Sequence, residues 1–316
     1  MTITGANGAR RHGPSTRDLR SEAAAPIVNA LSVDVEDYYQ VGAFAQRVAR
    51  GDWDSYPSRV ETNTKVLLDL FEAAQVHATF FVLGWIAERH PKLVTTIVAR
   101  GHEVASHGYS HTNVTKQSPA AFRADVRRTR RLLEDLSGTA VRGYRAANFS
   151  IGCRNDWAFA VLAEEGYAYS SSIYPMWHDR AAIQLRRRRP FTPEQAGDLV
   201  EIPLTTVNLM GVNLPCSGGG YFRLLPYGVS RWGLRRVNRL ERRPFIFYVH
   251  PWEIDPEQPR ITGVPLKSRL RHYINLARVE ERLRRLLAEF RWDRVDKVFL
   301  ADESGLATRL CCRKSA

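Results

Sequence analysis

The sequence predicts an α/β fold with a mostly parallel sheet closed into a barrel, and three observations carry that reading. Short apolar runs alternate with longer stretches of helical period, the pattern of repeated strand-then-helix units. Charged or metal-capable residues follow several of the apolar runs, at the strand ends where a barrel builds its active site. No Pro-, Gly- or Ser-rich linker and no internal repeat divides the 316 residues. At 44% hydrophobic and 25% charged residues, the chain has the composition of a globular protein. Its length suits closure into one large barrel better than two separate domains.

Residues 1–25 are rich in Arg, Ala, Ser and Gly and have no apolar core. They are expected to form a disordered basic leader rather than a secretory signal. Residues 26–316 are expected to form one barrel domain with a C-terminal helical extension. The first strand falls at 27–35 and ends in Asp34-Val35-Glu36-Asp37. A helix over 60–74 carries Val60, Leu67, Leu68, Phe71 and Ala74 near helical period, and a continuous apolar run at 78–83 suits a strand buried on both faces. Next come a helix over 85–100 stopped by Gly101 and a strand at 102–106. Ser118-Pro119 opens a helix whose apolar face holds Phe122, Val126, Thr129, Leu133 and Leu136, and Gly138 closes it. A strand at 141–144, a helix at 156–165 and extended runs at 167–172 and 199–204 continue the alternation. The glycine-rich 217–221 reads as a turn, 244–249 as a buried strand, and 268–290 as one long Arg-rich helix.

The chemistry gathers at the strand ends. Ser106-His107-Gly108-Tyr109-Ser110-His111 holds two imidazoles four residues apart. That is about one helical turn, so both rings can face one ion. A catalytic zinc site adds a third protein ligand and keeps one position open for water. Asp34, Glu36 and Asp37 crowd the end of the first strand, Arg145 follows 141–144, and His250 follows 244–249. The 46 Lys and Arg against 33 Asp and Glu give a net charge of +13, so an anionic glycan, membrane surface or nucleic acid comes into question. The arginines are dispersed, however. The run Arg186-Arg187-Arg188-Arg189 reads as solvated, and no nucleic-acid motif or aromatic-interleaved basic stretch is present. Cys153, Cys216, Cys311 and Cys312 lack CxxC spacing, which fits reduced thiols rather than a zinc ribbon or a disulfide framework. No apolar run reaches the ~20 residues of a membrane span, and a cytoplasmic location is expected.

Several segments together resemble the NodB-like polysaccharide deacetylases, within them the branch associated with exosortase and exopolysaccharide systems. They are Ser32-Val33-Asp34-Val35-Glu36-Asp37-Tyr38-Tyr39-Gln40-Val41, Thr79-Phe80-Phe81-Val82-Leu83-Gly84 and Glu103 to His111. Gly143-Tyr144-Arg145-Ala146, Gly218-Gly219-Gly220-Tyr221-Phe222-Arg223 and Tyr248-Val249-His250-Pro251-Trp252-Glu253-Ile254-Asp255 complete the set. The resemblance implies a deformed (β/α) barrel of about seven strands. It also implies a divalent metal, commonly zinc, held by one carboxylate and two histidines, and hydrolysis of N-acetyl groups on a hexosamine glycan.

In that frame Asp37, His107 and His111 are the expected metal ligands and Asp34 the general base. Arg145 is expected to orient Asp34 and hold it ionised, and His250 to act as the acid. Glu36 could replace either named carboxylate, because strand alternation puts Asp34 and Glu36 on one face. Two positions depart from the family pattern: Ala147 where relatives carry Pro, and Ser170 where they carry an Asp expected to support the acid histidine. Ser170→Asp is therefore expected to improve turnover. Tyr38, Tyr39, Tyr109, Trp177 and Trp252 are candidates to stack on sugar rings in an open cleft. A non-catalytic glycan-binding relative and an amidohydrolase for a small cyclic amide are the competing readings.

Overall fold

A computed structural model describes residues 1–2, 26–176 and 187–300. Most of the expected leader over 1–25, together with Trp177, Arg186, Cys311 and Cys312, lies outside the described residues. The protein is organised around β1 (Val28–Val35), which pairs in parallel with β2 (Thr79–Val82), β9 (Ile246–Val249) and β10 (Arg291–Asp293). From β2 the sheet runs through β3 (Glu103–Ser106), β4 (Gly143–Tyr144) and β5 (Tyr169–Ser170) to β6 (Val200–Glu201). The path β9-β1-β2-β3-β4-β5-β6 has the expected seven strands, and the short β10 is an eighth member.

The curl is deformed because β6 and β9 do not pair. Thr205 and the Ser217-Gly218 segment fill the interval: the Ile246 N–H donates to Thr205 Oγ1 at 2.9 Å, and Gly218 bridges Tyr248. Close passage here requires glycine. A Cβ at Gly218, φ 128°, would lie 1.9 Å from the Tyr248 carbonyl oxygen. The segment read as a turn therefore lies against β9 and starts a short helix, α6 (Gly219–Leu224).

The strands are short apolar runs because both faces are covered. Leu31, Val33, Phe80, Val82, Val104 and Phe247 are buried, each contributing about 1.5–3 kcal/mol relative to exposure. The helices that cover them are α1 (Val60–Ala73), α2 (Gly84–Arg89), α3 (Pro91–Ala99), α4 (Pro119–Ser137) and α5 (Trp157–Glu164). The later ones are α7 (Tyr227–Arg239), α8 (Leu266–Tyr273), α9 (Val279–Glu289) and α10 (Val295–Phe299). α4 follows its sequence signals: the Ser118 hydroxyl accepts from the Ala121 N–H, Phe122, Val126, Thr129 and Leu133 are buried, and Gly138 closes it at φ 65°.

Two long helices expected from periodicity are broken. The 85–100 helix stops at His90, because Pro91 cannot donate into the preceding turn, and restarts as α3. The 268–290 helix is interrupted at Asn275, which is left-handed at φ 55°, so α8 and α9 are separate. The hairpin of β7 (Thr206–Leu209) and β8 (Val212–Pro215), and α7 packed on it, are additions to the expected order. Among the described residues no helix is long and apolar enough to cross a membrane.

Candidate active site

The C-terminal ends of β1, β3, β4 and β9 converge on a cavity of about 540 Å³ lined by Asp34, Glu36, His107, His111, His250 and Trp252, among others. Asp34 lies in β1, Glu36, His107 and His250 directly follow strands, His111 is on the loop after β3 and Trp252 in the turn after β9. Asp34, Glu36, His107 and His111 are almost completely buried.

His107 leaves β3 with its Nδ1 at 2.9 Å from the Arg145 carbonyl oxygen. Nδ1 donates there, which leaves Nε2 free to act as a ligand. The His107–His111 segment is a loop and not a helical turn, with Gly108 at φ 72° and His111 at φ 50°. The two rings still come together, their centroids 5.2 Å apart. His111 Nε2 lies 3.1 Å from Glu36 Oε2, yet that buried oxygen makes no hydrogen bond. Burial lowers His107 and takes His111 down to about 4, so both rings are neutral at ordinary pH. Lone pairs from two neutral imidazoles and a carboxylate therefore face one point, all within 4.8 Å of one another. A divalent cation resolves that arrangement, and the donors Glu36, His107 and His111 fit one.

Asp37 is not among them. Its Oδ2 accepts from the Ser58 hydroxyl and from the Arg59 and Val60 N–H groups at 2.8, 2.8 and 3.1 Å, and its Oδ1 accepts from the Tyr38 N–H. These are free amides at the start of α1, and a carboxylate satisfies them there. The structure does not bring Asp37, the expected ligand, to the histidines; the carboxylate that faces them is Glu36, which lines the same cavity as Asp34.

Asp34 takes the other side of the cavity. Arg145, fully buried after β4, donates from Nη1 to Asp34 Oδ1 at 2.6 Å and to Ser32 Oγ at 2.9 Å. Its Nε and Nη2 are held by the Ser171 carbonyl and hydroxyl. Burial alone would raise Asp34, but the Arg145 charge and hydrogen bond hold it below the usual carboxylate range.

Opposite lies His250, whose Nε2 is 3.9 Å from Asp34 Oδ2 and 3.3 Å from Glu36 Oε1. Its Nδ1 is tied to Glu253 Oε1, and Glu253, fully buried, is paired with Arg223 from α6. Burial opposes charge on His250, yet the Glu253 hydrogen bond and the nearby carboxylates raise it above the ordinary imidazole value. The ring stacks on Trp252, which stacks on His272 in turn. Trp252 Nε1 also donates to Glu36 Oε1 at 3.3 Å.

Glu253 and Arg223 are the functional residues that sequence reasoning missed. They provide the support expected from an acid at position 170. Ser170 itself is buried, bonded to Ser172 Oγ at 2.8 Å beside Glu201. Glu201 accepts the Ser172 and Ile173 N–H groups, so a carboxylate at 170 would meet a second one. The expected gain from Ser170→Asp is withdrawn on that ground. Of the candidate sugar-stacking rings, Trp252 lines the catalytic cavity. Tyr38 and Tyr39 are buried in the core, packed edge to face at 5.1 Å. Tyr109 carries Arg128 over its ring.

Residues 48–170 match the family model described as polysaccharide deacetylase, and residues 171–300 match a domain of unknown function, DUF3473. The chain is 37% identical over 82 residues to a peptidoglycan-N-acetylglucosamine deacetylase of Bacillus cereus, 26% of this chain and 30% of that protein. It is 30% identical over 111 residues to a chitooligosaccharide deacetylase of Bradyrhizobium sp., 35% of this chain and 48% of that protein. It thus spans a third to a half of the length of these curated relatives. A candidate polysaccharide deacetylase structure from Mycobacterium smegmatis superposes with a TM-score of 0.52 at 20% identity. It covers 84% of this chain and 85% of that one, and the barrel architecture is shared.

Proposed function

We propose that this chain, a member of the NodB-like polysaccharide deacetylases through its residues 48–170, is a metal-dependent hydrolase. It removes N-acetyl groups from an N-acetylated hexosamine polysaccharide, in exopolysaccharide synthesis or modification. One observation carries the reading: an unsatisfied buried Glu36 oxygen faces two neutral histidines, with a carboxylate and a histidine of opposite shifts on either side.

A divalent ion held by Glu36, His107 and His111, zinc by the nitrogen-rich and thiolate-free donor set, would polarise the amide carbonyl and acidify its water. The remaining work falls to the chain. Asp34, kept ionised by Arg145, takes a proton from the attacking water, while His250, kept protonated by Glu253, donates one to the departing amine. Base and acid line the same cavity, with Asp34 Oδ2 3.9 Å from His250 Nε2, so an amide bound against them lies within reach of both. Stacking on Trp252 holds the imidazole ring plane, and the open cleft accommodates an extended glycan.

The test is metal analysis of the purified protein together with an acetate-release assay on N-acetylglucosamine oligomers. Stoichiometric metal and chelator-sensitive acetate release are expected. Glycan binding without acetate release from metal-loaded protein would replace the hydrolase with a binding module.

A further inference from the structure

We propose that the cleft recognises a carboxylate-bearing sugar beside the N-acetylated one, so that the substrate is an acidic heteropolysaccharide. The inference rests on the deacetylase reading and names its substrate class. A second cavity, of about 810 Å³, adjoins the catalytic one and shares Val41, Gly42, Ala43, His111, Asn148 and Ser268 with it. The two form one continuous cleft, each part within the size range of ligand sites. In the lining of the larger cavity there are three cationic side chains, Arg47, Arg50 and Lys116, and no carboxylate.

None of the three forms an ion pair among the described residues; the acid that Arg50 acts on is Asp125, whose carboxyl its charge helps to lower. Arg50 is fixed by backbone carbonyls, donating from Nε to Ser110 O at 2.5 Å and from Nη2 to His111 O at 3.0 Å. The cationic wall is thereby tied to the loop that carries the catalytic histidines. Arg47 lies across Gly263, where a Cβ would come within 2.8 Å of its Nε, and Gly263 adopts φ 72°. Elsewhere several arginines are closed by acids, as Arg123 and Arg127 are by Glu165, and Arg294 by Asp296.

Cations that line a concave site without a carboxylate in its wall focus positive potential on whatever enters it. A neutral N-acetylated sugar can use the amides of Gln40, Gln46 and Asn113 in the same wall, and its oxygens can accept from the three cations, but it brings no charge to balance them. A uronic acid does, because its planar carboxylate matches the guanidinium fork. The shared lining puts such a sugar next to the one at His111.

The experiment compares two oligosaccharides of equal length: one of N-acetylglucosamine alone, and one alternating N-acetylglucosamine with glucuronic acid. KM is measured for both at low and high salt, on the full chain and on Arg47→Ala/Lys116→Ala. The expected result is a KM about tenfold lower for the uronate oligomer at low salt. That ratio should shrink as salt screens the cleft and approach one in the double variant. Equal KM values for wild-type protein, or a preference that the variant retains, would overturn the inference. Calorimetric binding of the same two oligomers separates this inference from the deacetylase reading. If no acetate is released, a uronate preference lost in the variant still supports the acidic subsite, and equal binding still overturns it.

Discussion

The two sides of the catalytic cavity hold their ionised groups in different ways. Asp34 is held by the sheet: Arg145 reaches it from the end of β4, and Ser32 and Ser171, on or beside neighbouring strands, take the remaining guanidinium hydrogens. His250 is held by connections between strands. Its partner Glu253 lies in the turn that follows β9, and Arg223 beyond it comes from α6, in the half of the chain matched by the domain of unknown function. The base side rests on the elements that form the barrel, whereas the acid side rests on loops and a short helix that the barrel could form without. The difference teaches that, on the proposed roles, the second half of the chain supplies the acid and its support in addition to covering the sheet.

Breaking either side at its centre should have the largest effect. Asp34→Asn and His250→Ala are each expected to lower kcat by roughly 10²–10⁴-fold while metal stays bound, measured by acetate release beside metal content. Loss of metal from Asp34→Asn would merge the two roles. Next in size is Glu253→Gln, which keeps a hydrogen-bonding side chain on His250 but removes the charge between it and Arg223. A loss of about 10–100-fold in kcat with little change in KM is expected, and a variant with wild-type kcat would reduce Glu253 to a turn-forming residue. Ser170→Asp should fall on the same side of wild type. Setting a second carboxylate beside buried Glu201 is expected to cost about 1–3 kcal/mol without raising kcat, read by thermal melting and initial rates.

The last effect is on stability and concerns the loop under the histidines. Asp125 accepts the Tyr109 N–H at 3.0 and 3.3 Å, and burial raises it from 3.8 to about 6. A carboxyl raised on folding favours the protonated native state, so its contribution is present below pH ~4 and is lost as pH rises to about 6. Asp125→Asn keeps an acceptor and removes the titration. Relative to wild type it should therefore gain stability across that window, by up to about 3 kcal/mol, in denaturant melts at pH 4 and pH 7. An unchanged difference between the two pH values would mean that Asp125 ionises freely.

What was legible in the sequence follows the same division. The strand ends announce themselves because a buried apolar run followed by Asp34, His107, Arg145 or His250 has few structural reasons to end that way. Choosing between adjacent carboxylates required the fold. Asp37 is claimed by amides of Arg59 and Val60, more than twenty residues onward, and no local pattern records that claim. Strand alternation, which groups Asp34 with Glu36, was the signal that pointed the right way. Glu253 could have been found from its position three residues after His250, since the pair forms a capping box at a turn opened by Pro251. Arg223 had no such signal, because its contact with Glu253 depends on how α6 crosses the sheet. The helix break at Pro91 was readable from proline chemistry alone, whereas the left-handed Asn275 that divides α8 from α9 emerges only in the fold.

The most direct test of the account is the metal content of two neighbouring variants, Glu36→Gln and Asp37→Asn, each purified without chelator beside wild type. Glu36→Gln is predicted to lose stoichiometric metal and to melt close to metal-free wild type, because its carboxylate faces the histidine pair and satisfies no backbone amide. Asp37→Asn is predicted to retain metal and melt lower, because it satisfies the start of α1. Metal retained by Glu36→Gln and lost from Asp37→Asn would contradict the site as built here.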